Sequence, residues 1–176
     1  PLYIMLHKPV GVVSATKDII HKTVVDLLAG YSEEEINSLH IVGRLDLNTS
    51  GLLLLTNDGR WSRRLMAPEE KVDKVYRVVV EKNLDDDYIS AFAEGMYFPF
   101  EDITTQPAQL RIVSDKVAEV VLMEGKYHQI KRMFGRFRNP VVGLHRSSIG
   151  NLQLDERLEE GRSRQLTSAE VSSIFR

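Results

Sequence analysis

The amino-acid sequence predicts an α+β fold whose sheet is mixed or antiparallel. Segments with strand character outnumber segments with helix character, and the two kinds do not alternate regularly along the chain. Two strand segments, 109–113 and 117–123, are separated only by a short polar turn at Ser114 and Asp115, which favours an antiparallel pair. Regular alternation of strands and helices would instead indicate a parallel sheet.

The predicted strands are short segments rich in apolar and β-branched residues, several of them bounded by turn-forming residues. In chain order they are 2–6, 40–42, 52–55, 75–80, 109–113, 117–123 and 141–149. The segment 52–55 consists of leucine alone, so we expect it to be buried on both faces. In 75–80 the two-residue period predicts Tyr76, Val78 and Val80 on one face and Arg77 on the other.

Helices are predicted mainly from their termini. Ser32 and Thr167 each precede a glutamate by three residues, the pattern of a capping box. The remaining predicted helices are 23–28, 61–66 before Pro68, 85–94 with three aspartates in its first turn, and 127–137.

Composition limits the function classes. The chain has 176 residues, the usual size of one domain, so residues 1–176 are predicted to form a single domain around one core. Hydrophobic residues make up 43% and charged residues 27%, as in globular proteins. The sequence contains no cysteine, which excludes disulfides, zinc–thiolate sites and cysteine nucleophiles. No apolar run is long enough for a membrane span, and a cytoplasmic location fits this composition.

Basic residues are concentrated in one segment although the net charge is −2. Between positions 124 and 146 the sequence has one acidic residue, Glu124, and six basic residues: Lys126, Lys131, Arg132, Arg136, Arg138 and Arg146. Such segregation is typical of a nucleic-acid contact, and a solvated helix face is the alternative.

The polar loop 43–51 joins two predicted strands and is the candidate reactive segment, because rigid scaffolds display reactive groups on such loops. It holds Asp46, with Arg44 before it. A turn-capping role for Asp46 is the structural alternative. The loop lacks the lysine of a phosphate loop, and the chain has no Asp-Thr/Ser-Gly triplet, no metal-binding His-Glu-x-x-His and no Gly-x-Ser-x-Gly.

Five motifs occur in order along the chain. They are Lys8-Pro9-Val10-Gly11, Gly43-Arg44-Leu45-Asp46 with Thr49-Ser50-Gly51-Leu52-Leu53, Lys74-Val75-Tyr76-Arg77-Val78, 124–134 and 144–150. Together they resemble the motifs of the pseudouridine synthases of the RsuA/RluA superfamily. The segment 127–133 and Trp61-Ser62 look most like the RsuA branch.

The resemblance implies a pseudouridine synthase fold with helices flanking the sheet and an active-site cleft across it. It implies isomerisation of one uridine of the 16S ribosomal RNA of the small subunit, with no cofactor or metal. For a domain of this size with an extended RNA partner, we expect a monomer. Members of this branch typically carry an N-terminal S4 RNA-binding module, which this chain lacks. Because the sequence begins at Pro1 and not at an initiator methionine, we expect upstream residues to have been removed.

The same resemblance assigns roles to individual residues. Asp46 is implied to be the catalytic carboxylate at the floor of the cleft, acting either by addition to the sugar or by removing a sugar proton. Lys131 is implied to be its basic partner, and Tyr76 to stack on the flipped uracil and relay the C5 proton. Taken alone, Lys131 also fits a solvated lysine and Tyr76 a core residue.

Further residues are implied to contact the substrate. Arg44 would clamp a phosphate or fill the gap left by the flipped base, unless it only pairs with Asp46. Ile130 and Gln129 would contribute to the uracil site, although Ile130 also fits a core residue. The expected contacts with the RNA backbone are Lys126, Arg132, Arg136, Arg138 and Arg146.

Three other functions remain as alternatives: a synthase acting on large-subunit ribosomal RNA, a non-catalytic RNA-binding module for ribosome assembly, and a glycoside hydrolase. The hydrolase would need a second carboxylate such as Asp58 at roughly 5–10 Å from Asp46.

Overall fold

A computed structural model describes residues 1–125 and 128–175. In chain order, its elements are β1 Tyr3–Lys8, α1 Glu33–Ser38, β2 His40–Val42, β3 Ser50–Thr56, α2 Gly59–Met66, β4 Lys74–Val80, α3 Asp86–Glu94, β5 Tyr97–Phe98, β6 Ile103–Thr104, β7 Gln109–Ser114, β8 Val117–Leu122, α4 Gln129–Gly135, β9 Val141–Ile149, β10 Leu152–Gln153, β11 Ser163–Gln165 and α5 Ser168–Ser173. Single 3-10 turns lie at Val24–Leu27 and Pro68–Glu70. The predicted α+β class with mainly antiparallel pairing is confirmed.

The chain divides into two compact units, Pro1–Val72 with His145–Arg176 and Asp73–Leu144. Each unit has a hydrophobic core of its own, so the expectation of one core is wrong. The strand β9 belongs to the second unit through Leu144 and to the first from His145 onward. None of the helices in the described part of the chain has the length and apolar character of a membrane span.

In the first unit, β3 lies at the centre of the sheet. On one side β3 pairs antiparallel with β1. On its other side it pairs antiparallel with β2 and parallel with β9. β11 extends the sheet beyond β1. Leu52–Leu55 have no exposed surface, as the all-leucine sequence predicts. The start of β3, where the loop 43–51 ends, is therefore fixed from both sides.

In the second unit, β8 lies between β4 and β7 in an antiparallel arrangement. Val78 and Val80 of β4 are buried in the core, Tyr76 packs partly buried against it, and Arg77 is exposed. The predicted alternation is confirmed. The same core contains Ile130, Met133 and Phe134 of α4, together with Tyr88 and Phe92 of α3.

Helix termini agree with the sequence where a side chain caps the backbone. Ser32 and Thr167 form the two predicted capping boxes. The predicted helix 127–137 is shorter, because His128 has a left-handed φ of 50° and α4 begins only at Gln129. Its predicted first residue, Tyr127, lies outside the described residues.

Candidate active site

The loop 43–51 is anchored at both ends by one buried arginine. Arg146 donates from Nη2 to the Gly43 carbonyl at 2.6 Å and from Nε to the Leu52 carbonyl at 3.0 Å. At Gly51, whose φ is +119°, a Cβ would lie 2.2 Å from the Arg146 carbonyl oxygen. Only glycine allows this approach of the two strands, so the end of the loop has a fixed position.

Lys8 holds the middle of the loop from β1. Its side chain is fully buried, and Nζ donates to the carbonyls of Thr49 at 2.7 Å, Pro9 at 3.0 Å and Leu47 at 3.4 Å. Burial lowers the pKa of Lys8 to about 8, and the charge of Asp46 opposes this shift. The Gly11 amide also donates to the Leu47 carbonyl, at 2.8 Å.

Ser14 fixes the residue that precedes Asp46. Its hydroxyl donates to the Leu45 carbonyl at 2.7 Å and accepts from the Leu45 amide at 3.1 Å. Arg44 is exposed, and its Nη1 donates to the Ser14 carbonyl at 2.9 Å. Asp46 itself is partly exposed between two fixed neighbours, and its carbonyl accepts from the Thr49 amide at 3.0 Å. Because the loop has little freedom to move, the Asp46 carboxylate is held at a defined position, as a reacting group requires.

The other residues with implied catalytic roles lie in the second unit. Tyr76 is on β4, and Lys131 is a partly exposed residue of α4. Next to Lys131, the side chains of Ile130 and Gln129 are buried. The Gln129 amide donates to a Glu124 carboxylate oxygen at 3.0 Å and to the Met133 sulfur at 3.7 Å. The helix thus fixes Lys131 through buried neighbours.

The predicted contacts with the RNA backbone have different environments. Arg132 forms an ion pair with Glu101, while Arg136 and Arg138 are exposed. The RNA contact expected of Arg146 is wrong, because its side chain is only 2% exposed and its guanidinium binds two carbonyls of the first unit. Lys126 lies outside the described residues.

Three comparisons with known proteins are consistent with one another. The RNA pseudouridylate synthase family matches residues 2–135. Curated relatives include the "Ribosomal small subunit pseudouridine synthase A" of Pseudomonas aeruginosa, 52% identical over 98% of this chain and 74% of its own length, and that of Vibrio cholerae, 46% identical over 100% and 75%. The chain belongs to the RNA pseudouridylate synthase family.

Solved structures support the same fold. A crystal structure of a pseudouridylate synthase superposes on this synthase with a TM-score of 0.92 and 41% identity, over 98% of this chain and 73% of that one. An archaeal box H/ACA sRNP Nop10–Cbf5 complex contains a chain with a TM-score of 0.60 at 20% identity, covering 91% of this synthase and 51% of that chain, which is a likeness of fold alone. The predicted pseudouridine synthase fold is confirmed.

In this synthase, Asp58 has a structural role. One carboxylate oxygen accepts from the Arg60 and Trp61 amides at the start of α2, and the other accepts from the Tyr3 hydroxyl. These bonds, that of Tyr3 above all, lower the pKa of Asp58. A glycosidase acid needs a raised pKa, so Asp58 does not suit the general-acid role in the hydrolase alternative. Among the residues that the structure describes, no group of three or more His, Asp or Glu is placed to hold a metal ion.

The sequence interpretation missed Lys8 and Ser14 as residues that hold the loop. The signal for Lys8 was its place in the Lys-Pro-x-Gly motif, directly before the turn that ends β1. No local sequence signal identifies Ser14, since its partner Leu45 lies 31 positions further along the chain.

Proposed function

We propose that this enzyme isomerises one uridine of small-subunit ribosomal RNA to pseudouridine, as a monomer in the cytoplasm. The observation that carries the choice of RNA is the shared name of the relatives, which are 41–52% identical over nearly the whole chain and are called ribosomal small subunit pseudouridine synthases. Family membership supports catalysis and disfavours the non-catalytic RNA-binding module.

The reaction rearranges bonds within one nucleotide. The C1′–N1 bond breaks, the uracil turns, and C5 joins C1′; C5 then loses its proton and N1 ends protonated. No electrons leave or enter, so the balance needs no oxidant or reductant. The base must first leave its stack, at a cost of a few kcal/mol.

Asp46 starts the reaction in this proposal by one of two routes. It adds to C1′ as the C1′–N1 bond breaks and is displaced when C5 joins C1′, or it removes a sugar proton that is returned to the sugar when C5 joins C1′. Both routes need an ionised carboxylate at a fixed position. The anchoring of the loop by Lys8, Ser14 and Arg146 supports this role, because positioning a reacting group accounts for much of catalysis in general.

Lys131 serves as the basic partner of Asp46, and Tyr76 stacks on the flipped uracil and relays the C5 proton. Ile130 and Gln129 belong to the uracil site, and Arg44 contacts a phosphate or fills the gap left by the base. The partial exposure of Tyr76 and Lys131 supports roles beyond packing, since each retains surface that a substrate can cover. Arg136, Arg138 and Lys126 contact the RNA backbone.

The test is tritium release from ribosomal RNA labelled at uracil C5. Small-subunit and large-subunit RNA are supplied separately, as free RNA and as assembling subunits. We expect release equivalent to one uridine per small-subunit RNA and background release from large-subunit RNA. Release from large-subunit RNA alone would overturn the choice of substrate, and release from neither, in any assembly state, would overturn the proposed activity. A one-chain mass by light scattering tests the monomer.

A further inference from the structure

An exposed phenylalanine lies at the tip of a small hairpin in the second unit. β5 and β6 pair antiparallel, with Phe98 opposite Ile103, and the turn between them contains Phe100. The Phe100 side chain is 95% exposed. None of the ring contacts found within residues 1–125 and 128–175 involves it. Its ring therefore contributes little to the packing of the chain, although burying it would be favourable.

The turn that displays Phe100 is held by polar contacts on both sides. The Tyr97 hydroxyl donates to a carboxylate oxygen of Asp102 at 2.8 Å, and the Asp102 amide donates to the Pro99 carbonyl at 3.3 Å. At the base of the hairpin, the Met96 amide donates to the Thr105 hydroxyl at 2.8 Å, and the Thr105 amide donates to the Met96 carbonyl at 2.9 Å. Phe100 is thus presented on an ordered turn.

The hairpin is attached to the basic helix α4. Arg132 forms an ion pair with Glu101, the residue after Phe100, and its guanidinium lies 4.4 Å from the centre of the Phe98 ring. The Arg136 guanidinium lies 4.8 Å from the same ring centre. The charge of Arg132 is paired with that of Glu101, whereas Arg136 is exposed and can also face a phosphate. Arg132 lies in α4, the helix that carries Lys131, and Arg136 directly follows the last residue of that helix.

We propose that Phe100 is an RNA-binding residue on which an unpaired base of the RNA substrate stacks, with Arg136 facing the adjoining phosphate. This inference rests on the proposed function. Aromatic rings and arginines together are the groups that bind single-stranded RNA, since every base has a face to stack and every nucleotide a negative charge. The two arginines beside the Phe98 ring of the same hairpin favour an RNA occupant over an apolar protein surface. Arg132 is a positioning residue that acts through the hairpin.

The test uses four exposed-site variants: Phe100→Ala, Phe100→Leu, Phe100→Trp and, as a matched control, Val113→Ala. Val113 is another exposed apolar residue of the same unit, and it is aliphatic. Binding of the small-subunit RNA is measured by filter retention, and tritium release gives KM and kcat. Thermal unfolding checks that each variant folds.

We expect Phe100→Ala to raise Kd and KM about 5- to 150-fold, the usual range for losing one stacked base, with kcat unchanged. Phe100→Trp should have the Kd and KM of the wild type. Phe100→Leu should not, because leucine keeps apolar area but has no aromatic face. Phe100→Ala leaves the salt dependence of binding unchanged, while Arg136→Ala reduces its slope by about 0.7–0.9. The Val113 control matches wild type.

A double-mutant cycle separates positioning by Arg132 from direct contact. If Arg132 acts through the hairpin, Arg132→Ala weakens binding in the wild type but adds little once Phe100 is alanine. Additive losses would overturn the positioning role.

Two results would overturn the stacking proposal while wild-type release leaves the proposed function intact. One is wild-type affinity in Phe100→Ala. The other is wild-type affinity in Phe100→Leu, which would indicate an apolar contact, such as a ribosomal protein, in place of a base. Absence of release from the wild type on every RNA would instead refute the proposed function.

Discussion

Replacing Lys8 by methionine tests how the Asp46 loop is held. The carbonyls of Thr49 and Pro9 lose the ammonium donor of Lys8, at a cost of about 1–3 kcal/mol each, while the Leu47 carbonyl still accepts from the Gly11 amide. Against this, methionine removes a buried cation. Burial lowers the pKa of Lys8 from 10.5 to about 8, which corresponds to about 3 kcal/mol. At pH 7 the two effects are of similar size, so the variant is expected to be at most about 3 kcal/mol less stable.

The pH dependence provides the sharper result. Below pH 8, Lys8 is protonated in the folded and unfolded states, and the full cost of burying the charge is present. Between pH 8 and 10.5 the folded state releases its proton while the unfolded state keeps it, so the stability of the wild type rises with pH. The difference in unfolding free energy between wild type and Lys8→Met should therefore grow by about 3 kcal/mol over this window.

Urea denaturation at pH 7, 8, 9, 10 and 10.5 measures that difference. Lys17→Met, at an exposed lysine of the same unit, is the control and should show no such growth. A difference for Lys8→Met that stays constant across the window would refute the description of Lys8 as a desolvated cation.

Since misplacing a reacting group by about 1 Å can cost about 10²-fold in rate, kcat of Lys8→Met should fall by about that factor.

Three further predictions concern the loop and the substrate site. Gly51→Ala should destabilise the protein by about 3 kcal/mol or more in urea denaturation, because its Cβ meets the Arg146 carbonyl; Gly30→Ala, also at positive φ but in open space, should cost only about 1–2 kcal/mol. Arg146→Gln removes the charge and the Nε donor of Arg146, so its kcat should fall about tenfold or more without a change in the salt dependence of RNA binding; the loss of a phosphate contact would instead reduce that slope. Tyr76→Phe keeps the ring but not the hydroxyl, so tritium release should slow by about 10²–10⁴-fold at unchanged Kd; a weakened Kd with normal release would contradict the relay.

Local signals in the sequence predicted most of the fold. The capping boxes at Ser32 and Thr167 are formed because their hydrogen bonds span only three residues. The buried leucines of β3 and the alternation of β4 likewise follow from patterns within one strand. The strands β5, β6, β10 and β11 were not predicted, because segments of two or three residues have no periodicity and form through pairing with distant partners.

Part of the site was also predictable. Asp46 could be singled out from the loop and its motif, but the burial of the groups that fix the loop could not be predicted from local patterns, although Lys8 lies in a motif. Lysine and arginine are almost never fully buried, so composition places Lys8 and Arg146 on the surface. Both are buried because backbone carbonyls of the loop satisfy their donors, and those contacts join residues up to 103 positions apart.

The central claim is that Asp46 performs the chemistry and is not required for RNA binding. Its most direct test is a single-turnover measurement with excess enzyme on C5-tritiated small-subunit RNA, comparing wild type with Asp46→Asn and recording RNA retention in the same samples. We expect one tritium released per RNA by wild type, and none by Asp46→Asn at a Kd within a few-fold of wild type. Equal release from the two proteins would contradict the account.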